Sequence, residues 1–260
     1  MTLALVGAGR MGSALLSGWV EAGRDPSDLA ILDPTPSDTA KALIKRGAKS
    51  GPAALRKADT VVIAVKPQVF GSIADELAER LKPGALVVSI MAGVGIARLA
   101  AAFPGAALVR AMPNTPASVG AGITGLYAAP GVGEAERQQA RELLSVTGEV
   151  VNVASERDID RVTAVSGSGP AYVFHLVESL AEAGRGVGLD SETAEQLARA
   201  TVIGAAKLLE GEGTPTDLRR AVTSPNGTTQ AALDVLMMEL PNLMRRTVEA
   251  AFKRAVELAD

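Results

Sequence analysis

The sequence predicts an α/β first half, built on a doubly wound and mostly parallel sheet, followed by an all-helical second half. Up to about residue 153, short apolar runs alternate with segments of helical periodicity, and after residue 154 the strand-like runs stop. The runs are apolar throughout, which is typical of strands covered on both faces. Because 260 residues are enough for two domains, we place the domain boundary between residues 1–153 and 154–260.

The first half alternates strand and helix patterns from its beginning. The predicted strands lie at residues 3–6, 29–32, 60–65, 85–90, 107–110, 123–128 and 149–153. The predicted helices between them lie at residues 11–22, 69–81, 96–103 and 134–145. Strand, helix and strand in repetition predict a parallel sheet with helices on its faces.

The second half contains helical patterns only. The predicted helices lie at residues 159–165, 171–185, 191–210, 218–223, 228–239 and 243–258. Glycines mark two of the expected helix ends, at positions 184 and 186 and at positions 211 and 213. Pro215 and Pro225 mark further breaks between helices.

The composition excludes several classes of protein. The chain has no cysteine, which excludes disulfides, thiolate nucleophiles and cysteine-based zinc sites, and its single histidine argues against a His-rich metal site or a Ser-His-Asp triad. A net charge of −3 argues against a nucleic-acid partner. The start of the chain has no basic region, and the longest uncharged stretch, residues 111–133, contains three prolines. We therefore expect a cytoplasmic protein without a membrane segment and without a metal site.

A glycine-rich turn, Gly-Ala-Gly-Arg-Met-Gly at residues 7–12, directly follows the first predicted strand and opens the first predicted helix. In this context Gly7 permits a tight turn, Gly9 lets the backbone approach a pyrophosphate, and Gly12 allows close packing of helix on strand. The helix N-terminus offers unpaired N–H groups to the phosphates. The turn predicts a Rossmann-like dinucleotide-binding domain, against the alternative of a plain strand–helix turn. The residues of the turn expected at the cofactor are Gly7, Gly9, Arg10, Met11 and Gly12.

Asp33 stands at the end of the second predicted strand, 21 positions after Gly12. A carboxylate at about this spacing hydrogen-bonds the adenosine ribose and repels a 2′-phosphate. No Arg or Lys follows until Lys41, so the sequence weakly favours NADH, although Lys41 or Arg10 could still reach the 2′-phosphate of NADPH. The alternative is that Asp33 only caps the turn at residues 33–36.

Two further loops follow predicted strands on the side where a nicotinamide ring is expected. Val65-Lys66-Pro67 ends one strand, and Arg-Ala-Met-Pro-Asn-Thr-Pro at residues 110–116 ends another. Ligands of parallel α/β sheets bind outside the carboxyl ends of the strands. The residues expected at the cofactor in these loops are Val65, Lys66, Pro67, Met112, Pro113 and Asn114. Ordinary connections, with a solvated Lys66, are the alternative.

The helical half contains two stretches rich in small polar residues. Residues 166–172, Ser-Gly-Ser-Gly-Pro-Ala-Tyr, precede a helix and serve either close helix packing or ligand contact. We expect His175, beyond this stretch, to be a packing or interface residue. Residues 223–229, Thr-Ser-Pro-Asn-Gly-Thr-Thr, open another helix. Asn226 or Gly227 can adopt positive φ there. Helix amides ringed by hydroxyls predict a small anion site suited to a carboxylate substrate, rather than an N-cap alone.

These motifs, in order along nearly the whole chain, resemble pyrroline-5-carboxylate reductases. The stretches at residues 110–116 and 224–229 are specific to that family, whereas the glycine-rich turn is generic. Two departures stand out, because the family usually has glycine where this chain has Asn226 and often has an Asn-Arg type phosphate clamp where this chain has Asp33-Pro34. The second departure is a further reason to favour NADH over NADPH.

The resemblance implies reduction of the cyclic imine 1-pyrroline-5-carboxylate to L-proline, the last step of proline synthesis, by hydride from NAD(P)H. It also implies that Thr229 hydrogen-bonds the ring nitrogen and could relay a proton to it, and that Ser224 holds the carboxylate together with the N–H groups of Gly227 and Thr228. In the family the helical domains interlock as a dimer, the substrate site lies between the nucleotide domain of one chain and helices of the other, and rings of dimers occur. The substrate-binding residues it implies are Ser224, Asn226, Gly227, Thr228 and Thr229.

Two alternatives stay open at this point. One is a different two-domain reductase for hydroxy acids or other imines, in which a catalytic lysine is expected in the helical half, where Lys207 and Lys253 lie outside the polar stretches. The other is a dinucleotide-sensing binding protein, which would not need residues 224–229.

Overall fold

The computed structural model describes residues 2–259, and within them an eight-stranded sheet has the strand order β3-β2-β1-β4-β5-β6-β7-β8. Neighbouring strands run parallel except for β6 and β7, which are antiparallel. The α/β class with a mostly parallel, doubly wound sheet is therefore confirmed. The strands are β1 (Thr2–Val6), β2 (Leu29–Leu32), β3 (Lys49–Ser50), β4 (Ala58–Ile63), β5 (Leu86–Ser89), β6 (Ala107–Met112), β7 (Gly122–Ala128) and β8 (Gly148–Asn152).

Helices connect these strands and then form the remainder of the chain. In the first half they are α1 (Arg10–Glu21), α2 (Asp38–Lys45), α3 (Pro67–Ala78), α4 (Ile96–Ala102) and α5 (Glu134–Ser145). After the last strand they are α6 (Glu156–Val162), α7 (Gly169–Gly186), α8 (Ser191–Leu209), α9 (Pro215–Ala221) and α10 (Thr228–Ala259). Short 3-10 turns lie at Pro26–Asp28, Pro52–Lys57 and Thr115–Val119.

The central strands are buried because helices cover both faces of the sheet. Val61, Val62 and Ile63 of β4 and the two valines of β5 have no exposed surface. Trp19 of α1 is the largest of the fully buried side chains, and its indole N–H donates to the carbonyl of Leu143 at 2.8 Å. This bond satisfies the one polar atom of the ring inside the core.

Two expectations about the helices are wrong in detail. Residues 228–239 and 243–258 were expected as separate helices, but they form the single helix α10, with Pro241 inside it. Proline has a helical φ and removes only one backbone N–H from the ladder, so a long helix can continue through it at a cost. Residues 166–167 were expected before a helix, but they belong to a π-helical turn, Thr163–Gly167, that joins α6 to α7.

The chain divides into two compact units by the density of its internal contacts. The first unit contains residues 2–168 together with residues 251–259, and the second contains Gly169–Ala250. The boundary expected from sequence, between residues 153 and 154, lies just after the end of β8 and before the division at residues 168 and 169, and it stays a prediction. Residues 2–259 contain no helix that combines the length and apolar character needed to cross a bilayer.

Candidate functional site

The glycine-rich turn between β1 and α1 has the geometry that a dinucleotide requires. Gly7 has φ +95°, and a Cβ there would lie 2.8 Å from the carbonyl carbon of Ala64. A Cβ on Gly12 would overlap the carbonyl oxygen of Gly7, so helix and turn pack at backbone distance. A Cβ on Gly9 would meet nothing within 4 Å, and no side chain caps the start of α1. The turn therefore leaves an open space in front of uncapped helix amides, which fits a pyrophosphate.

Asp33 is tied to this turn by its carboxylate. Its Oδ2 accepts a hydrogen bond from the Ala8 amide at 2.6 Å, and its Oδ1 accepts one from the Thr35 amide at 2.8 Å. The turn-capping interpretation is therefore observed, together with a bond across to the glycine-rich turn that spacing alone did not predict. The role of Asp33 toward a ribose stays a prediction. Because the Ala8 amide donates to Asp33, the amides left to face a phosphate are those of the first turn of α1, including Arg10 and Met11.

The carboxyl ends of the parallel strands bring the other predicted loops to the same edge of the first unit. β1, β4, β5 and β6 run in one direction, so the glycine-rich turn, Val65-Lys66-Pro67 and residues 112–114 all follow strands at one edge of the sheet. Pro67 occupies the first turn of α3, directly after the exposed Lys66. Met112, Pro113 and Asn114 are buried.

Asn114 has a structural hydrogen bond that was not anticipated. Its Oδ1 accepts from the amide of Ile123 at the start of β7, at 2.9 Å. The side chain therefore ties the loop after β6 to the next strand. Its predicted place at the cofactor stays a prediction, and this bond assigns it a role in holding Met112 and Pro113 in position.

The sequence interpretation missed a fourth loop and a buried charge cluster at this edge. The loop covers residues 90–95 after β5, where Met91 and Val94 are buried and Gly93 has φ +69°. The cluster contains Arg110 of β6, whose Nη2 lies 2.9 Å from Oδ1 of Asp160 and whose Nη1 lies 3.3 Å from Oε1 of Glu156. An arginine inside an otherwise apolar strand was the available signal, since a buried charge requires partners.

In the second unit, the turn at residues 223–229 has the predicted backbone. Asn226 has φ +59°, the one non-glycine residue with positive φ in the described chain. The Gly227 amide donates to the Ser224 carbonyl at 3.0 Å, and a Cβ on Gly227 would overlap the Ser224 hydroxyl. α10 begins at Thr228, so the amides of Thr228 and Thr229 lie in a first helical turn and have no helical acceptor. The predicted backbone of the turn is therefore observed, and its binding of an anion stays a prediction.

The other polar stretch is engaged locally. The Ser166 hydroxyl donates to the Val162 carbonyl at 3.1 Å within the π-helical turn. His175 is exposed on α7, with Nδ1 3.0 Å from Oε2 of Glu178. Neither contact indicates a catalytic function, and the expected interface role of His175 stays a prediction.

A Rossmann-like unit with a dinucleotide-type turn, followed by helices that present an anion-type turn, defines an oxidoreductase of the nicotinamide-dinucleotide class. Residues 2–93 match a family model described as NADP oxidoreductase coenzyme F420-dependent, and residues 156–258 match one described as pyrroline-5-carboxylate reductase dimerisation. The chain belongs to the pyrroline-5-carboxylate reductase family and is an enzyme of that kind.

Whole-chain relatives carry this assignment. Pyrroline-5-carboxylate reductase of Pseudomonas aeruginosa is 41% identical over 264 residues, covering 99% of this chain and 97% of that protein. A solved pyrroline-5-carboxylate reductase from Coxiella burnetii is 36% identical, with a TM-score of 0.92 over 100% of this chain and 98% of the other. The Plasmodium falciparum enzyme, solved with NADP bound, is 28% identical, with a TM-score of 0.83 over 100% and 98%.

Proposed function

We propose that this chain reduces 1-pyrroline-5-carboxylate to L-proline with hydride from NAD(P)H, as the last step of proline biosynthesis. Membership of the family, shown by relatives that match from end to end, carries the proposal. The structure supports it through the open space at Gly9 in the first unit and the helix start at Thr228 in the second, where the first amides have no helical acceptor. A cytoplasmic location, expected from the sequence, stays a prediction.

The cofactor, when bound, supplies the hydride, and the chain holds it along one edge of the sheet. We assign the pyrophosphate to the first-turn amides of α1, beginning at Arg10 and Met11, in the space that Gly9 leaves open. We assign the nicotinamide ring to the loop after β4 with the start of α3, and to the end of β6 with the loop after it. The residues assigned there are Val65, Lys66, Pro67, Met112, Pro113 and Asn114. The buried residues 112–114 exclude water on one side of this space, and the prolines of both loops leave carbonyl oxygens free as acceptors.

We further propose that NADH serves at least as well as NADPH. Asp33 at the end of β2 holds a carboxylate beside the glycine-rich turn, and Asp38 opens α2 a few residues later. Lys41, the first lysine after Asp33, lies 3.3 Å from Oδ1 of Asp38 and is therefore already paired. A 2′-phosphate in this region would face two carboxylates. The family comparisons support a nicotinamide dinucleotide without indicating which one.

The substrate carboxylate fits the turn that opens α10. The N–H groups of Thr228 and Thr229 lie in the first turn of the helix, whereas the Gly227 N–H already donates to the Ser224 carbonyl. The Ser224 hydroxyl lies against Gly227. Helix amides and neighbouring hydroxyls favour a bound anion. The positive φ of Asn226 shapes this turn, so the residue contributes through its backbone.

The reaction needs little acid catalysis because a cyclic imine is basic enough to arrive partly protonated. The hydride adds to the imine carbon, and the electron pair of the C=N bond remains on the nitrogen, which keeps its proton or takes one. Thr229, half-buried at the start of α10, is the hydroxyl we assign to the ring nitrogen, and Ser224 is assigned beside it. The chain then contributes chiefly by orienting the substrate.

Thr229→Val tests this assignment because it keeps the shape of the side chain and removes the hydroxyl. A hydrogen bond to a charged group contributes about 1.5–3 kcal/mol, so kcat/KM is expected to fall about tenfold to a hundredfold. Cofactor affinity is expected to remain unchanged. Thr247→Val is the matched control, because its hydroxyl bonds only the Leu243 carbonyl further along the same helix.

The pH profile of the same variant separates two roles for the hydroxyl. If Thr229 passes a proton to the ring nitrogen, the loss in kcat/KM grows as pH rises and less imine arrives protonated. If the hydroxyl only positions the substrate, the loss is constant with pH. A kcat/KM equal to wild type at every pH contradicts both roles and transfers the assignment to Ser224.

The smallest functional assembly we propose is a homodimer, from which rings of dimers can be built. Within Gly169–Ala250 the buried residues are three alanines, at positions 181, 194 and 198. Large apolar side chains of the same unit are exposed, including Phe174 at 63% and Met238 at 68%. Exposed apolar surface on this scale marks a protein interface, and the matching family model is named for dimerisation.

A further inference from the structure

Arg110 is a charged residue with almost no contact with solvent. It lies on β6, two positions before Met112, and 2% of its surface is exposed. Its two terminal nitrogens bond carboxylates of one helix, α6, at 2.9 Å to Asp160 and 3.3 Å to Glu156. Its Nε has no hydrogen-bond acceptor within the described residues. The guanidinium therefore joins the end of β6 to α6 through two ion pairs.

Glu156 extends this connection to a second strand end. The same Oε1 that faces Arg110 accepts a hydrogen bond of 2.6 Å from the Ile96 amide, at the start of α4. A Cβ on Gly95 would lie 3.1 Å from that oxygen, so the carboxylate lies directly against the backbone of the loop after β5. One carboxylate therefore holds both the loop after β5 and the strand that leads to residues 112–114.

α6 is itself packed closely on the sheet. A Cβ on Gly125 of β7 would lie 2.8 Å from both methyl groups of Val162, so the glycine lets Val162 of α6 pack directly against the strand backbone. Arg157 of the same helix lies over the Phe252 ring, 5.7 Å from its centroid. Contacts with β7 and with Phe252 hold α6 in place, so α6 also fixes the position of the loops bound to it through Glu156 and Arg110.

We propose that Arg110, Glu156 and Asp160 are positioning residues that hold the loops after β5 and β6 in register beside the nicotinamide ring. A buried ion pair adds little net stability relative to apolar residues of similar volume, because desolvation offsets most of the attraction, so the role proposed for this cluster is to specify geometry. The proposal rests on the proposed function, which assigns the ring to this edge. A small displacement of hydride donor from acceptor lowers the rate strongly.

The test compares Glu156→Ala, Glu156→Gln and Asp160→Asn with wild type. Glu156→Ala removes the acceptor of the Ile96 amide and one partner of Arg110, whereas Glu156→Gln keeps the oxygen and loses only the charge. Glu76→Gln is the matched control, since it weakens an ion pair between Glu76 of α3 and Arg80, just beyond the end of that helix, and this pair bonds no strand-end loop. Unfolding temperature and amide hydrogen exchange are measured on each free enzyme, and kcat at saturating substrates is measured with cofactor protonated or deuterated at C4.

We expect Glu156→Ala to speed exchange at residues 91–96 by about tenfold or more, with the amides of β1 and β4 unchanged. We expect kcat to fall by about tenfold while the cofactor Kd changes by less than about threefold, and the deuterium isotope effect on kcat to rise as hydride transfer becomes slower. Glu156→Gln and Asp160→Asn are expected to lie between Glu156→Ala and wild type, and Glu76→Gln is expected to match wild type.

A lower unfolding temperature with unchanged kcat and isotope effect overturns the proposal, because a purely structural cluster gives that result. Unchanged exchange at residues 91–96 overturns it as well. The exchange measurement uses no substrate, so it decides whether the cluster holds the loop even if wild type fails to reduce 1-pyrroline-5-carboxylate. That failure would contradict the proposed function instead.

Discussion

Gly9 and Gly12 provide a matched pair of substitutions that separates cofactor binding from folding. Gly9 has φ −69° and ψ −160°, which any residue adopts, and a Cβ there meets nothing within 4 Å. Gly9→Val is therefore expected to change the free energy of unfolding by less than about 1 kcal/mol. At Gly12 a Cβ would overlap the Gly7 carbonyl oxygen and lie 3.2 Å from a methyl group of Leu5, so Gly12→Ala is expected to destabilise by about 1–3 kcal/mol.

Cofactor binding is expected to weaken strongly in Gly9→Val, although the stability of this variant changes little. The valine methyl groups would occupy the space in front of the α1 amides and separate them from the pyrophosphate. Loss of two hydrogen bonds to a charged group, at about 1.5–3 kcal/mol each, raises Kd by about a hundredfold to ten-thousandfold. Thermal unfolding and calorimetric titration with NADH and NADPH measure the two quantities on the same samples.

Two outcomes of these measurements would refute the cofactor assignment. A Gly9→Val protein that binds either dinucleotide with near-normal affinity removes the pyrophosphate from this turn. A Gly9→Val protein that unfolds well below wild type shows that the space in front of Gly9 is filled in the folded chain. Gly12→Ala controls for backbone distortion, because its binding defect should accompany a loss of stability.

Three other predictions follow from the site and the helix caps. With both cofactors at matched conditions, kcat/KM for NADH should equal or exceed that for NADPH, and a preference for NADPH above about tenfold contradicts the role given to Asp33. Phe174→Glu places a charge on the exposed apolar surface of α7 and should yield inactive monomers by sedimentation, whereas an active monomer at micromolar concentration excludes the dimer. Hydroxyl hydrogen bonds lower the pKa of Asp158, through Ser155, and of Asp217, through Thr214. The stability that these two carboxylates contribute is therefore complete above about pH 4 and is lost as pH falls through their lowered pKa values. Asp217→Asn should make the free energy of unfolding depend less on pH in this acid range, as monitored by circular dichroism.

Much of the sheet could be predicted because buried parallel strands are apolar throughout. The predicted strands correspond to β1, β2 and β4 to β8, with ends displaced by up to two residues. β3, at Lys49–Ser50, was missed because it has two exposed polar residues and forms only through pairing with β2. α2 was also not among the predicted helices. This helix is short, and Ser37 caps its start with a hydroxyl that accepts a hydrogen bond from the Ala40 amide.

The long helix α10 differs from the prediction made from the local sequence pattern. Residues 228–239 and 243–258 were predicted as separate helices, but α10 runs without interruption from Thr228 to Ala259, with Pro241 inside it. Near its end, a Cβ on Gly93 would lie 2.5 Å from the Leu258 carbonyl oxygen. Tertiary packing at residues 251–259 supports the helix beyond the proline, and such packing is absent from any local window of sequence.

The site could be predicted as a set of loops but not as a set of hydrogen bonds. Sheet topology alone brings the glycine-rich turn and the loops after β4 and β6 to one edge, so their residues could be named from spacing. The partners of Asp33 and Asn114 could not, because both side chains bond backbone amides that only the folded chain brings near. Arg110 is the extreme case, since its two carboxylates lie 46 and 50 residues away along the chain. A charge placed in a buried strand predicts that partners exist, and only the fold shows that one of those partners also holds the neighbouring loop.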